Sequence, residues 1–392
     1  MIAVIADDFT GAAELAAAAA DVGLSAEVQT RFDPSSDAKV IAVDTDTRAM
    51  DESLAAKIVS DLSRDILRHD PDWIYKKTDS VLRGNVRAEI EALLAVTDKR
   101  RCLLVPANPS KGRTICGGVY CIDGKCLEQT TFANDPLHPR RSSKIAELLG
   151  HSIVQMGLAE PAPGEGIMVP DVESEADLML RASECNSSTL AAGGVEFFIA
   201  LLRCKAMKQI AISPQPRLAL KAQRSLFICG SAQAWSHGRA EECRQRDVPV
   251  HAMPEEILSA SSDASDRSVH QWADAIARSL KTHGAAMAAI GHECVPSLAA
   301  THRLTESLVA VVIDVLNGDR CDHLYVEGGS TAAALTQGIG WTRLQAIPAQ
   351  LAGVACLRPV GRESPLLFVK PGSYPWPQGV WPSTPATTQS AG

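Results

Sequence analysis

The chain opens MIAVIADDFTGA, residues 1–12. An apolar run passes without interruption into two adjacent aspartates, and Phe-Thr-Gly then leads into an alanine-rich segment. The apolar run reads as a buried strand and residues 11–22 as a helix, so Asp7 and Asp8 stand where a strand turns into a helix. One carboxylate, or the Thr10 hydroxyl, can cap that helix by accepting a hydrogen bond from a backbone N–H of its first turn. A cap explains one carboxylate and leaves the other. Adjacent carboxylates repel each other unless a cation, a ligand hydroxyl or a lysine lies near, and one of them is suited to accept a substrate proton as general base.

The same grammar repeats downstream. KVIAVDTDT (39–47), DWIYKKTDS (72–80) and RCLLVPANPS (101–110) read as further strands. Helices are expected over 51–69, with Leu54, Ile58, Leu62, Ile66 and Leu67 on one face, and over 85–94. Strands alternating with helices imply βαβ units and a mostly parallel sheet, whose ligand crevice lies outside the carboxyl ends of the strands. All four strand exits are polar (DDFTG, DTDTR, KKTDS, PANPSKGR), as a binding rim requires. Residues 111–140 read as loop-rich. Alternation resumes at GIMVPD (166–171), and a helix over 194–205 closes this half. Residues 208–221, with PQP and several basic residues, read as a linker.

A second alternating region follows. Strands are expected at 225–231, 248–254, 285–291, 323–330, 343–349 and 365–372, and helices at 268–283, 301–316 and 331–338. The expected architecture is α/β: two α/β domains with mostly parallel sheets facing a central cleft, residues 1–207 and 222–380, with residues 381–392 a flexible tail.

Composition bounds the function. In 392 residues, 46% are hydrophobic and 21% charged, ordinary for a globular chain. A formal net charge of −8 argues against a nucleic-acid partner. Eleven cysteines without a CxxC pair do not form a disulfide framework and fit a reducing cytoplasm. No signal peptide is expected, because Asp7 and Asp8 interrupt the first apolar run with no basic segment before it. No membrane span is expected either, since no 18 residues are continuously apolar.

Within the rim, Lys76-Lys77-Thr78-Asp79-Ser80 and Arg83-Gly84-Asn85 gather three cations, hydroxyls and a carboxylate at one strand exit. The lysines and Arg83 are suited to clamp a carboxylate or phosphate. Asp44-Thr45-Asp46-Thr47-Arg48 gains weight from its place at the neighbouring exit. In the second half, CGSAQA (229–234) and EGGSTAAAL (327–335) each place Gly and Ser/Thr at a strand-to-helix turn, and Lys370-Pro371-Gly372 marks a third exit. Backbone N–H groups at a helix N-terminus bind phosphate, and glycine permits its close approach. Other patterns fail. Gly124-Lys125 is no P-loop, because Gly118 is one residue too far upstream and Cys126 replaces the Ser/Thr. GxGxxG and HExxH are absent. Neither Cys116/Cys121/Cys126 nor His292-Glu293-Cys294 has zinc spacing, and these cysteines read as buried small apolar residues. His138 in NDPLHP reads equally as structural or as substrate-touching.

IADDFTGA, KKTDSVLRGN, PANPSKGRTICGGVY, FANDPLHP, EGGSTAAAL and VKPGSY, in this order, resemble the four-carbon acid sugar kinases, long known as a domain of unknown function. The resemblance spans nearly the whole chain. LAAGGVEFFIALL (190–202) also resembles the segment closing that family's first domain. The resemblance implies an N-terminal sugar-acid-binding domain, a C-terminal ATP-binding domain, and phosphorylation of a terminal hydroxyl of a tetronate or oxo-tetronate, with ATP and Mg2+. It implies a substrate side of Asp7, Asp8, Arg48, Lys77, Thr78, Asp79, Ser80 and Arg83, and a nucleotide side of Ser231, Gly328, Gly329, Ser330, Thr331, Gly353, Lys370 and Gly372. KPGSYPWP departs from the Lys-x-Gly-Asn-Phe-Gly of many members, and the segment before the first nucleotide turn is short; both bear on the substrate's identity.

On this reading Arg48, Lys77 and Arg83 hold the sugar-acid carboxylate or the moving phosphoryl group. Asp8, ahead of Asp79, deprotonates the attacking hydroxyl. The metal ligands and the oligomeric state stay open, a homo-oligomer included. The alternative is a non-catalytic sensor that binds a sugar acid or nucleotide. A dehydrogenase is disfavoured by the missing GxGxxG.

Overall fold

The structure, a computed structural model, describes the chain except residues 136–137, 159, 161–163, 210–221, 237, 260–265, 292–297, 319–320, 350, 352, 373–374 and 382–392. Most of the expected linker, the expected tail beyond Trp381 and His292-Glu293-Cys294 therefore lie outside the described residues. The chain divides into two compact units, Met1–Gln215 and Pro216–Gly392.

In the first unit the strands of the main sheet are β1 (Ile2–Ala6), β2 (Ala26–Gln29), β3 (Val40–Asp44), β4 (Trp73–Lys77) and β5 (Arg101–Val105). A small antiparallel sheet follows, β6 (Arg113–Cys116), β7 (Val119–Ile122) and β8 (Lys125–Cys126). The main sheet is completed by β9 (Val154–Met156), β10 (Gly166–Pro170) and β11 (Thr189–Gly193). Its order is β2-β3-β1-β4-β11-β5-β10-β9, and every pairing is parallel. Helices α1 (Phe9–Asp21), α2 (Glu52–Leu67), α3 (Val86–Thr97), α4 (Ile145–Leu149), α5 (Glu175–Ser183) and α6 (Val195–Gln209) connect them. Strands β3 and β4 flank β1 on opposite sides, so the winding reverses beside β1. Such a switch point opens a crevice at the carboxyl ends of the strands.

In the second unit β12 (Ser225–Cys229), β13 (Val250–Ala252), β14 (Ala285–Ala289), β15 (His323–Glu327), β16 (Arg343–Ile347), β17 (Ala355–Pro359) and β18 (Leu366–Lys370) run in the order β13-β14-β12-β15-β18-β17-β16. The first five are parallel, and β17 and β16 close the set antiparallel. The helices are α7 (Ala232–Ser236), α8 (Arg239–Arg244), α9 (Glu255–Leu258), α10 (Asp266–His283), α11 (Leu298–Asn317) and α12 (Gly329–Ile339). Phe227, Tyr325 and Phe368 on adjacent strands stack with centroids 4.8 and 4.6 Å apart, and Trp381 stacks on Phe227 at 4.8 Å. Trp381, the first residue of the expected flexible tail, is buried in this core.

Several expectations need correction. Residues 111–140 are not simply loops; two tight two-residue turns fold 113–126 into β6–β8. Strands β2, β9, β11 and β17 escaped the pattern because they are short or lack a sharp apolar boundary. On α2 the inward face is Ala55, Val59, Ser63 and Ile66, whereas Leu54 and Leu67 are exposed. The stripe is shifted by about one residue and carries small side chains, which a search for leucines misses. Cys116 is exposed and Cys121 and Cys126 are half-buried, so these three are not the buried apolar residues expected.

Lys76 also departs from the rim role expected of both lysines. Alternation along β4 sends Lys76 and Lys77 to opposite faces. The Lys76 ammonium is fully buried, 2.7 Å from Glu89, which also accepts a 2.6 Å hydrogen bond from Thr47. Burying one charge of such a pair alone is costly. Lys76→Met is expected to destabilise the protein by about 3–5 kcal/mol, and Lys76→Met/Glu89→Leu to recover most of that loss, both read from urea unfolding.

Candidate functional site

Parallel register brings three exits of the first unit side by side. Ala6 pairs with Asp44 on one side and with Lys77 on the other, so Asp7, Thr45 and Thr78 leave the sheet together. Asp8 adopts extended backbone angles (φ −147°, ψ 158°) and caps α1, its Oδ1 accepting a hydrogen bond from Gly11 N at 2.9 Å. The spare carboxylate is Asp7. Arg48 donates to it from Nε at 2.7 Å and from Nη2 at 3.0 Å, and to Asp8 Oδ2 from Nη1 at 2.8 Å. One planar guanidinium therefore neutralises the adjacent pair, which Lys could not do with the same fork geometry.

Gly84 explains how Arg48 is held. It has φ 82°, and a Cβ there would lie 3.0 Å from Arg48 Cγ and 3.1 Å from its carbonyl. Gly11 has a similar reason: a Cβ would stand 2.7 Å from the capping oxygen of Asp8 and 3.2 Å from Lys77 Cγ.

Arg83 forks onto Asp79 with Nε at 2.9 Å and Nη2 at 2.8 Å, and Val81 N and Arg83 N also donate to Asp79. The other arm of Arg83 reaches Asp135 at 2.9 Å. The turn between them puts Leu82 at φ 62°, a strained conformation for a bulky residue, pinned by Arg140 donating to its carbonyl at 2.8 Å. Arg113 donates to Ser80 Oγ, and Lys77 donates to its neighbour's carbonyl, Thr78 O, at 2.9 Å. Lys77 lies 3.7 Å from Glu14, which also accepts from Lys111 at 2.9 Å. The Thr78 hydroxyl is buried without a partner among the described residues. His138 N donates to Asp135 Oδ1 at 2.8 Å, and its ring Nε2 is buried without a partner among the described residues.

These contacts fix the charges. Burial opposes ionisation of Asp7, but Arg48, then Lys76 and Lys77, hold its carboxyl below the ordinary value. Burial likewise opposes ionisation of Asp79, and Arg83 and Arg48 overcome it, leaving the carboxyl far below the carboxylate range. At the edge of the same cluster, burial and the charges of Asp8, Asp46 and Asp7 push Asp44 well up. Burial and Arg140 keep His138 below its usual value.

Backbone groups dominate the corresponding face of the second unit. Cys229, Glu327 and Lys370 are register partners at the ends of β12, β15 and β18, so their turns emerge together. Gly328 has φ 91°, N-caps α12 without any side-chain cap, and donates to Lys370 O at 3.0 Å. A Cβ on Gly230 would fall 2.4 Å from Thr331 Oγ1, and one on Gly372 would lie 3.5 Å from Ser231 Oγ. Ser231, Gly328–Thr331 and Gly372 thus form one cluster. Gly353 lies apart in chain position, in the turn before β17, with φ 73°. The Lys370 side chain is fully buried beneath the turns: its ammonium is 3.7 Å from Glu327, whose Oε1 also receives Arg239 at 2.6 Å and Trp376 at 2.5 Å. Burial lowers Lys370 to about 8, against the opposing pull of Glu327.

Sequence reasoning placed the rim, including the exit that carries Lys111 and Arg113, but singled out neither of these two, and it missed Glu14 and Asp135. A signal existed for Glu14, the single charge in the alanine run before Asp21. Asp135 meets Arg83 across 52 residues of chain, and no local pattern announces that.

Residues 2–197 match the family of sugar-binding N-terminal domains, and residues 226–374 the family of nucleotide-binding C-terminal domains. The chain is 29% identical to the D-threonate kinase of Salmonella typhimurium, over 86% of each chain. It is 26% identical to the D-erythronate kinase of Heliobacterium modesticaldum, over 86% of this chain and 85% of the other. A solved structure from Salmonella typhimurium, provisionally described as a tRNA synthase, covers 95% of this chain and 96% of its own with a TM-score of 0.76 at 19% identity. That likeness establishes the fold alone.

The folded carboxyls of Asp79 and Asp7 are lowered from 3.8. The stability they supply is complete above that value and is lost as the pH falls toward the folded values. Unfolding free energy is therefore expected to decline between about pH 4 and pH 2. In Arg83→Met, where Asp79 loses its main partner, that decline is expected to be shallower. Urea titrations at several pH values read the slope, and an unchanged slope would show that the pair contributes nothing to acid stability.

Proposed function

Because the chain belongs to the family that joins a sugar-binding N-terminal domain to a nucleotide-binding C-terminal domain, we propose that it is an ATP-dependent kinase. On this proposal it phosphorylates a terminal hydroxyl of a four-carbon sugar acid, a tetronate or oxo-tetronate. The observation that carries the reading is the pairing, in one chain, of a rim built from buried forked ion pairs with a cluster of glycine turns at an uncapped helix. The kinase names of relatives matched over 86% of the chain support the same class.

In this reading the first unit binds the acid. Lys77, Arg48 and Arg83 supply positive charge for its carboxylate or for the moving phosphoryl group. Thr78 and Ser80 offer hydroxyls to its hydroxyl groups. Asp8 is the base in preference to Asp79. Both residues have both oxygens engaged, Asp79 by Arg83 and Asp8 by Arg48 and Gly11 N, but the Asp8 side chain is 18% exposed against 3% for Asp7 and 7% for Asp79. Asp7 keeps Arg48 in place and does not react.

The second unit binds ATP. The free N–H groups opening α12 and the glycines at 328, 329 and 372 suit phosphate oxygens, since no side chain occupies that helix end. The residues present fit a nucleotide's phosphates. Among the described residues no group of three His, Cys, Asp or Glu gathers to hold a metal. Mg2+, brought with ATP, would supply charge neutralisation for the transfer. Among the described residues no helix is long and apolar enough to cross a membrane.

An ATP-coupled screen over the four-carbon sugar acids, stereoisomers included, tests the reading. Turnover of at least one is expected, and acid or nucleotide binding without turnover of any would mean a sensor instead. Asp8→Asn is expected to lower kcat by at least about 100-fold with little change in KM for the acid; near wild-type turnover would remove Asp8 as base. Gly230→Ala, pressing on Thr331, is expected to raise KM for ATP by about tenfold and to leave KM for the acid unchanged.

A further inference from the structure

Cys121 and Cys126 face each other across the hairpin of β7 and β8, with Ile122 opposite Lys125. Asp123 and Gly124 make the two-residue connection, with φ of 50° and 74°, as a type I′ turn requires. In such a hairpin the pair flanking the turn exchanges the backbone hydrogen bonds. The next pair outward, Cys121 and Cys126, is then non-hydrogen-bonded, where opposed Cα atoms are about 4.5 Å apart. That separation lies within the roughly 4.4–6.8 Å that a disulfide spans. Both thiols are free and half-buried. Cys116 shares this face of the sheet but stands opposite Val119, displaced along it, and its thiol is exposed. None of these thiols takes part in the site described above.

We propose that Cys121 and Cys126 form a thiol-oxidation site that closes reversibly into a cross-strand disulfide. With a small-molecule disulfide RSSR as oxidant, one cysteine thiolate attacks a sulfur of RSSR and expels RS−. The second thiolate then attacks the protein sulfur of the mixed disulfide and expels the other RS−. The two protein thiols lose two protons and two electrons, and RSSR becomes two RSH. Burial and the neighbouring Cys126 push the Cys121 thiol up, so bridging is faster in mildly alkaline solution. The bridge would staple the strand that pairs with β6, from which Arg113 reaches Ser80, so the site sits one strand from the substrate rim. The inference stands independently of the kinase reading.

The test uses the full chain, folded, incubated with oxidised glutathione and analysed without reduction. Trypsin cleavage after Arg113, Lys125 and Arg140 puts Cys121 in peptide 114–125 and Cys126 in peptide 126–140. The expected result is loss of two hydrogens from the intact mass, with those two peptides joined until a reductant is added. Cys116→Ser should leave this unchanged. Cys121→Ser and Cys126→Ser, checked for native circular dichroism, should each lose the bridge and retain a glutathione adduct on the remaining thiol. Separate peptides before reduction, a persistent adduct on Cys121 or Cys126 of the wild type, or loss of the bridge in Cys116→Ser would overturn the proposal.

Discussion

The fork of Arg48 onto Asp7 and Asp8 is the interaction on which the first unit's rim depends. Two carboxylates on consecutive residues at the end of a central strand are stripped of much of their water. Without a cation their repulsion, about 4 kcal/mol for unit charges 4 Å apart at an effective dielectric of 20, would drive one to take up a proton. Arg48 satisfies both with four short contacts and is itself raised well above its ordinary value, burial opposing and the carboxylates prevailing. To reach them, the segment after β3 must turn back over β1, which Arg48 N donating to Asp7 O secures. The next turn must then come close to Arg48, which Gly84 permits. Three strand exits are thereby locked into one surface.

The second unit arranges its chemistry differently. Its side-chain charges are sunk beneath the turns: Glu327 receives Arg239, Lys370 and Trp376 in a space closed by the aromatic stack. Burial raises the Glu327 carboxyl, with Lys370 and Arg239 pulling it back. What faces outward is mainly backbone N–H and glycine. In the proposed reading, side chains hold the acid-binding surface in one unit, and backbone makes the phosphate-binding surface in the other. That division suits the two ligands of the proposed reaction: a polyhydroxy acid is told apart by directional side-chain partners, whereas phosphate is bound well by convergent N–H dipoles.

The alternation of apolar runs and amphipathic segments, with polar residues at every exit of the first half, was enough to read two α/β units and to place Asp7, Asp8, Arg48, Lys77–Ser80 and Arg83 on one rim. Those are local properties: strand burial, the helix-start preference of Asp and the turn preference of Gly each act over a few residues. The same locality made α2 legible as a helix but not its inward face, because Leu54 and Leu67 are long apolar side chains that the fold leaves outside. It also hid β6–β8, whose turns are read from φ rather than from apolar pattern.

Tertiary structure alone decided what each polar residue does. Sequence showed two aspartates and one cap; the backbone of Asp8 assigned the cap to Asp8, and the reach of Arg48 from about 40 residues away paired it with both carboxylates. Sequence showed two lysines; the period of β4 sent Lys76 to Glu89 in the core and left Lys77 at the rim. Sequence showed Lys370 at a turn; its side chain went under the sheet's end to Glu327. In each case the residue type is set by composition and the role by partners distant in the chain. The free energy of a buried charge depends almost wholly on which partner stands within a few ångströms of it, and that neighbour is chosen by the fold.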